Sequence, residues 1–141
     1  MKKALAGLLT FLLLFLLNNC SASNVNQKFP YGNYQYRSYN FLGDLVGEGT
    51  LYVDQSGSNE FTGNWNIRMV RDCRNCGAQF GSGFLTGHIE NDTMYINLNP
   101  DDTEIDTYLV GLLNDGEYNG DWRWVSEEGF GYYGTFEAIK L

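Results

Sequence analysis

The sequence predicts an all-β fold: a single antiparallel up-and-down meander of about eight strands, closed or nearly closed into a small barrel, after an N-terminal signal helix. Three observations carry this expectation. The first is a reused word, Phe61-Thr62-Gly63-Asn64-Trp65-Asn66-Ile67, which returns as Tyr118-Asn119-Gly120-Asp121-Trp122-Arg123-Trp124, as Tyr132-Tyr133-Gly134-Thr135-Phe136-Glu137-Ala138, and more weakly as Leu85-Thr86-Gly87-His88-Ile89. Its period of two is that of a strand with one wet and one dry face. The second is punctuation by turn formers, at Gly43-Asp44, Gln55 to Asn59, Asn91-Asp92, Asn99 to Asp102, Asn114 to Gly116 and Glu127 to Gly129, with no helical period between them. The third is glycine on the dry face of nearly every strand, at Gly47, Gly49, Gly63, Gly87, Gly111, Gly120 and Gly134. Such a glycine lets the strand bend sharply or leaves a slot for a neighbouring ring, which suits a coiled, self-closing sheet better than a flat sandwich.

The strands are expected at roughly 33–40, 45–53, 60–70, 80–89, 93–98, 105–113, 117–125 and 130–140. Connections this short imply sequential antiparallel pairing. A closed barrel leaves no edge exposed, whereas two packed sheets are the other arrangement such strands adopt. The dry face is assigned to Tyr34, Tyr36, Leu51, Val53, Phe61, Trp65, Ile67, Leu85, Ile89, Met94, Ile96, Leu98, Leu109, Leu113, Tyr118, Trp122, Trp124, Tyr132 and Phe136. Gly63 and Gly120 are expected to face inward, each covered by an aromatic ring from an adjacent strand.

A chain of 141 residues fits one domain, here 31–141. Seventeen glycines against two prolines, with ten tyrosines and nine phenylalanines, describe a β-rich globular domain. There are 9 basic and 17 acidic residues. Without Lys2 and Lys3, which belong to the leader, seven basic residues remain and the net charge is −10. Nucleic acid is not the expected partner.

Met1-Lys2-Lys3 is a basic start, Ala4 to Leu17 an uncharged apolar run, and Asn18 to Ser23 a small polar exit. This is a secretory signal, too short for a permanent membrane span. The run Leu17-Asn18-Asn19-Cys20 resembles a bacterial lipobox, although that class places a small residue where this chain has Asn19. The resemblance implies a lipoprotein-type signal peptide over 1–19, a lipidated Cys20, and a cysteine-plus-tether segment over 20–30. Ser21 after the cysteine implies the outer membrane, with the domain facing the periplasm or the cell surface. Several acyl chains anchor stably, at about 0.8 kcal/mol per buried methylene. The alternative is ordinary cleavage at Ser21-Ala22-Ser23, which gives a soluble periplasmic or secreted protein.

Gly63-Asn64-Trp65 and Gly120-Asp121-Trp122 match the Gly-x-Trp of small barrels, and here the chain resembles lipocalin-like and avidin-like meanders. In lipocalins the motif lies on the first strand under an arginine of the last. Here it lies on the third and seventh, and the last strand carries only Lys140. The resemblance therefore implies a barrel architecture and not a ligand.

Among candidate sites, Cys73-Arg74-Asn75-Cys76 is the sharpest. A disulfide, a redox centre, a metal site and free thiols are the four readings. Zinc needs two further ligands and His88 is the only histidine; a thioredoxin-type centre needs a βαβ unit that the pattern lacks. Export to an oxidising compartment favours a structural Cys73–Cys76 disulfide holding the long turn between two strands. Arg68, Arg71 and Arg74 form a basic group in an acidic chain, either an anion or partner contact at one mouth of the barrel or a solvated group neutralised by Asp72 and its neighbours. Trp65, Trp122, Trp124, Tyr34, Tyr36, Tyr118 and Tyr132 either line a ligand cavity or fill the barrel. Asp101 to Asp106 lacks the spacing of a calcium loop and reads as a solvated turn. No metal or cofactor is implied, and no nucleophile stands at a recognisable spacing from a base. The expected function is that of a monomeric cell-envelope lipoprotein, held to the membrane by its lipid, whose barrel is a non-catalytic binding or interaction module for a small apolar ligand or an envelope protein. The alternatives are a secreted carrier of a small apolar or aromatic ligand, and a carboxylate-based hydrolase with two acids about 5–9.5 Å apart.

Overall fold

The computed structural model describes residues 31–73, 76, 79–102, 105–126 and 129–141. The segments read from the sequence as signal peptide, lipidated Cys20 and tether, residues 1–30, lie outside the described residues. Eight strands run in order: β1 (Gly32–Asn40), β2 (Leu45–Gln55), β3 (Glu60–Met69), β4 (Gly81–Glu90), β5 (Thr93–Asn97), β6 (Ile105–Asn114), β7 (Glu117–Ser126) and β8 (Gly129–Lys140). Each boundary falls within two residues of the sequence expectation. Every strand pairs antiparallel with the next, and β8 returns to pair with β1, so the sheet closes into a barrel.

The alternating pattern places one residue in two inside. Leu51 faces Trp65 across β2 and β3, Leu109 faces Trp122 across β6 and β7, and Tyr118 faces Ala138 across β7 and β8. The core is the dry face of the sequence, with additions and one correction. Val46, Cys76 and Ala138 join it, as do the polar Ser38, Gln79 and Thr107. Val46 is added because the β1–β2 register slips between Ser38 and Tyr39, a bulge that buries two consecutive β2 residues, Val46 and Gly47. Tyr132 is the correction: it is 37% exposed. The last β1–β8 pair is Asn40 with Gly134, so β8 before Gly134 runs past the end of β1 and nothing on that side covers Tyr132.

The glycines act differently from expectation at the two named positions. A Cβ on Gly63 would strike the carbonyl oxygen of Tyr52, and one on Gly120 that of Val110. These glycines let neighbouring backbones approach. Rings do cover glycines, but at the directly opposed pairs Phe61 with Gly87, Trp65 with Gly83 and Trp122 with Gly134. A large ring needs the space of the residue facing it, and glycine there provides it.

The start of β1, the C-terminal Leu141 and the loops 56–59, 91–92 and 115–116 lie at one end of the barrel. Two of these loops are two-residue turns with left-handed backbone, Asn91 and Asp92 at φ 48° and 64°, Asp115 and Gly116 at 48° and 88°. That is type I′ geometry, whose twist matches the flanking strands. The chain end is sewn in here, with Lys140 N–H donating to Gly116 O (2.8 Å) and Leu141 N–H to Asn33 O (2.9 Å). The opposite end is where β1 passes to β2, β3 to β4, β5 to β6 and β7 to β8, with 41–44, 70–73, 79–80 and 98–102 among the described residues there.

Candidate functional site

The loop 70–80 turns into the barrel. Cys73 and Cys76 form a disulfide with their Cα atoms 5.5 Å apart. Cys76 and Gln79 are fully buried. Gln79 Nε2 donates to Cys76 O at 2.9 Å, and Tyr36 Oη, rising from the core, donates to Gln79 Oε1 at 3.5 Å. The Phe80 ring lies over Gly47, whose absent Cβ would stand 2.9 Å from it. Outside, Val70 N–H donates to Val46 O (2.9 Å) and Arg71 pairs with Asp44 of the β1–β2 turn (2.8 Å). That turn is fixed by Asn40, whose Oδ1 accepts from Leu42 N–H (3.0 Å) and Asp44 N–H (2.9 Å). The sequence identified the disulfide. It carried no signal that the segment stoppers the barrel, because burial of Gln79 depends on a partner 43 residues away.

Of the three arginines, Arg68 pairs with Glu48 on the adjacent strand and Arg71 with Asp44, while Arg74 lies outside the described residues. Both pairs are largely exposed and worth little in stability. Arg71 nevertheless ties two loops together.

Most of the sequence-named aromatics are in the filled interior. Their polar tips are taken up by the chain itself: Trp65 Nε1 donates to Leu98 O (2.5 Å), Trp122 Nε1 to Tyr39 O (2.8 Å), and Tyr118 Oη to Met94 O (2.8 Å) and Leu109 O (3.2 Å). Phe136 joins Tyr36 and Tyr118, with ring centroids 5.8 and 4.7 Å away. Burial pushes the Tyr34 phenol up to about 12, that of Tyr36 higher still and that of Tyr118 well above its ordinary value, so all three are neutral. Tyr34 Oη, Thr107 Oγ1 and Trp124 Nε1 are buried without a hydrogen-bond partner.

Trp122, Trp124 and Tyr132 meet at the rim. The β7–β8 pairing continues to Ser126 with Gly129, beyond the end of β1, and the gap left between β8, the 41–44 turn and Cys73 is a crevice of about 360 Å³. Phe41, Trp122, Tyr132 and Tyr133 line it together with Asn40, Cys73 and Gly131. Tyr132 stacks on Trp124 at 5.6 Å with 10° between planes, and the Trp124 ring occupies the space above Gly131. Two of the aromatic walls are thus held, Trp122 by a hydrogen bond to the Tyr39 carbonyl and Tyr132 by its stack on Trp124. Phe41, Leu42 and Tyr133 beside it are 67%, 72% and 68% exposed.

Two further carboxylates are engaged by neighbours. Glu137 accepts from Tyr39 Oη (2.7 Å) and Arg37 (3.4 Å), and Asp106 from Tyr108 Oη (2.8 Å) and Asn97 Nδ2 (3.2 Å). These bonds to a carboxylate, with some burial, raise the pKa values of Tyr39 and Tyr108. Among the described residues no three His, Cys, Asp or Glu side chains gather in a metal-holding group.

No protein-family model matches the sequence, and no curated protein is similar to it. Solved structures that are similar include the following two. The structure of EF1p2_mFAP2b bound to DFHBI aligns over 79% of this chain and 93% of its own, with 12% identity and a TM-score of 0.57. That of a redesigned beta barrel, mFAP1, bound to DFHBI covers 79% and 94%, with 12% identity and a TM-score of 0.48. At this identity the first likeness concerns the fold alone.

Proposed function

We propose that this is a cell-envelope lipoprotein, anchored through acyl chains on Cys20, whose barrel is a non-catalytic binding module that engages its partner at the loop-bearing end. The observation that carries the reading is the aromatic crevice and the exposed Phe41, Leu42 and Tyr133 around it. Contiguous exposed apolar side chains of this kind mark interaction sites, whereas scattered ones do not. The interior supports the same reading, since it spends its aromatic volume and most of its polar tips on packing. Orientation fits as well. The chain enters β1 at the end opposite the crevice, and a tether over 20–30 reaches at most about 40 Å, which presents the loops away from the membrane.

Cys20→Ala should move the protein from the membrane to the soluble fraction; unchanged partition overturns the anchor. A photo-crosslinking residue at Tyr133 should give an adduct in the envelope that Phe41→Ser abolishes, while the same residue at Tyr52 on the barrel wall should give none. Equal yields at both positions overturn the assignment of the crevice.

A second reading is a carrier of a small aromatic ligand. It is favoured by Thr107 Oγ1 and Trp124 Nε1, which face each other across β6 and β7, both buried and unpartnered. A neighbour of the same fold is bound to DFHBI. A small molecule that co-purifies with the protein and is lost in Trp124→Phe would decide for this reading.

A further inference from the structure

On the outer wall, between Ser56 of the 56–59 loop at one end and Asn97, the last residue of β5, at the other, two rows of outward side chains run across the strands. Thr62, Thr86, Asn97 and Tyr108 form one, joined by the pairs Thr62 with Thr86, Thr86 with Asn97, and Asn97 with Tyr108. Two residues along the strands, Glu60, His88 and Tyr95 form the other. The space between them is a groove of about 410 Å³, floored by the intervening Phe61, Gly87 and Ile96 and walled on one side by the small threonines. Its rings are fixed. His88 and Tyr95 stack at 4.8 Å with 9° between planes, and Tyr108 and Asn97 are both held by Asp106. Cross-strand stabilisation of the sheet accounts for a stacked ring pair. It does not account for a trough between that pair and a second ring that a carboxylate holds in place.

We propose that this groove on β3 to β6 binds an uncharged oligosaccharide. The chemistry of the lining selects the class. The Tyr108 ring and the face of Tyr95 turned away from His88 are flat and apolar, which suits the C–H face of a pyranose. Threonine hydroxyls, the Asn97 amide and the His88 imidazole each donate and accept, and Glu60 accepts, so together they match ligand hydroxyls that do both. A hydrocarbon would desolvate these groups without pairing them. An anion would approach Glu60 and Asp106 with no cation among the lining residues. The volume lies within the range of small-ligand sites. The groove shares no lining residue with the crevice at the rim, so the two sites stand or fall separately.

The test is a panel of soluble oligosaccharides presented to the full-length protein: neutral gluco-, manno-, galacto- and N-acetylglucosamine oligomers beside sulfated and uronic ones. At least one neutral oligomer should bind, with at least tenfold weaker binding in Tyr95→Ala and in Tyr108→Ala and none in Thr86→Trp, which puts a large ring in place of a small wall residue and blocks the trough. Phe41→Ser at the rim should bind as the parent does. Thermal midpoints of all four variants should stay near the parent value, and Tyr108→Phe should retain the ring contribution if an alanine variant unfolds. Absence of binding to every neutral oligomer, preference for the anionic set, or binding that survives both ring removal and Thr86→Trp overturns the proposal.

Discussion

The barrel is closed by backbone at the end where the chain enters β1, and by a folded-in loop at the other. At the first end, the turns at 91–92 and 115–116 hold two residues each, and Gly63, Gly111 and Gly120 each stand three residues from a turn. All three bring a neighbouring strand's carbonyl oxygen into the place a Cβ would take. The turn residues there stay outside, and strand side chains such as Val53, Met94 and Tyr118 fill the interior beneath them. At the second end, Cys76, Gln79 and Phe80 enter the interior, and the strands stop at different heights, so β8 rises past β1. This leaves apolar side chains on the rim without cover. The difference teaches where a small, filled barrel keeps room for recognition: loops held by a rigid scaffold provide side chains that a backbone closure cannot.

The sharpest way to break the comparison is at the glycines. Gly63→Val and Gly120→Val should each cost more than about 3 kcal/mol, because the colliding atom is a ladder carbonyl rather than a side chain that can turn away. Asn64→Val and Asp121→Val, one residue along on the wet face, should stay within about 0.5 kcal/mol. Denaturant midpoints of the four variants check this, and glycine variants as stable as their controls would mean that close backbone approach does not hold this end.

At the other end, replacing Cys73 and Cys76 together by serine should cost about 2 kcal/mol, the chain-entropy value for so small a loop. Hydrogen exchange should quicken at Val70, Cys76 and Gln79 and stay unchanged in the 91–92 and 115–116 hairpins. Uniform quickening throughout the barrel would show that the loop is not a separate device.

The smallest effects separate two buried tyrosines between the ends. Tyr118→Phe should cost about 1 kcal/mol, since it deprives the carbonyls of Met94 and Leu109 of their donor, whereas Tyr34→Phe removes a hydroxyl with no partner and should be neutral or slightly stabilising. Alkaline pH sharpens the contrast. Unfolded, a tyrosine ionises near pH 10; folded, Tyr34 keeps its proton until about 12. Its contribution is therefore complete below pH 10 and declines above it, by about 1.4 kcal/mol per pH unit. Stability measured from pH 8 to 11.5 should fall less steeply in Tyr34→Phe than in the parent, and an identical slope would exclude Tyr34 as a titrating group.

The local pattern settled the strands, their order and most of the core, because a period of two with short turns admits little besides a meander, and residues such as Leu51, Trp65 and Trp122 then have only one face to occupy. It also settled the Cys73–Cys76 bridge, whose partners are three residues apart. Tertiary structure alone decided what depends on strands remote in sequence. Whether β8 meets β1, and where that pairing stops, fixes the exposure of Tyr132 and opens the crevice beside Phe41. Burial of Gln79 and Ser38 follows from the loop's inward path. The two rows of the outer groove come from four strands set in register across 62–108, and the wet positions that supply Thr62, Thr86, Asn97 and Tyr108 look in the sequence like any solvated face. A one-dimensional period records which side of the sheet a residue is on; its neighbours on that side are set by register and shear, which only the closed sheet determines.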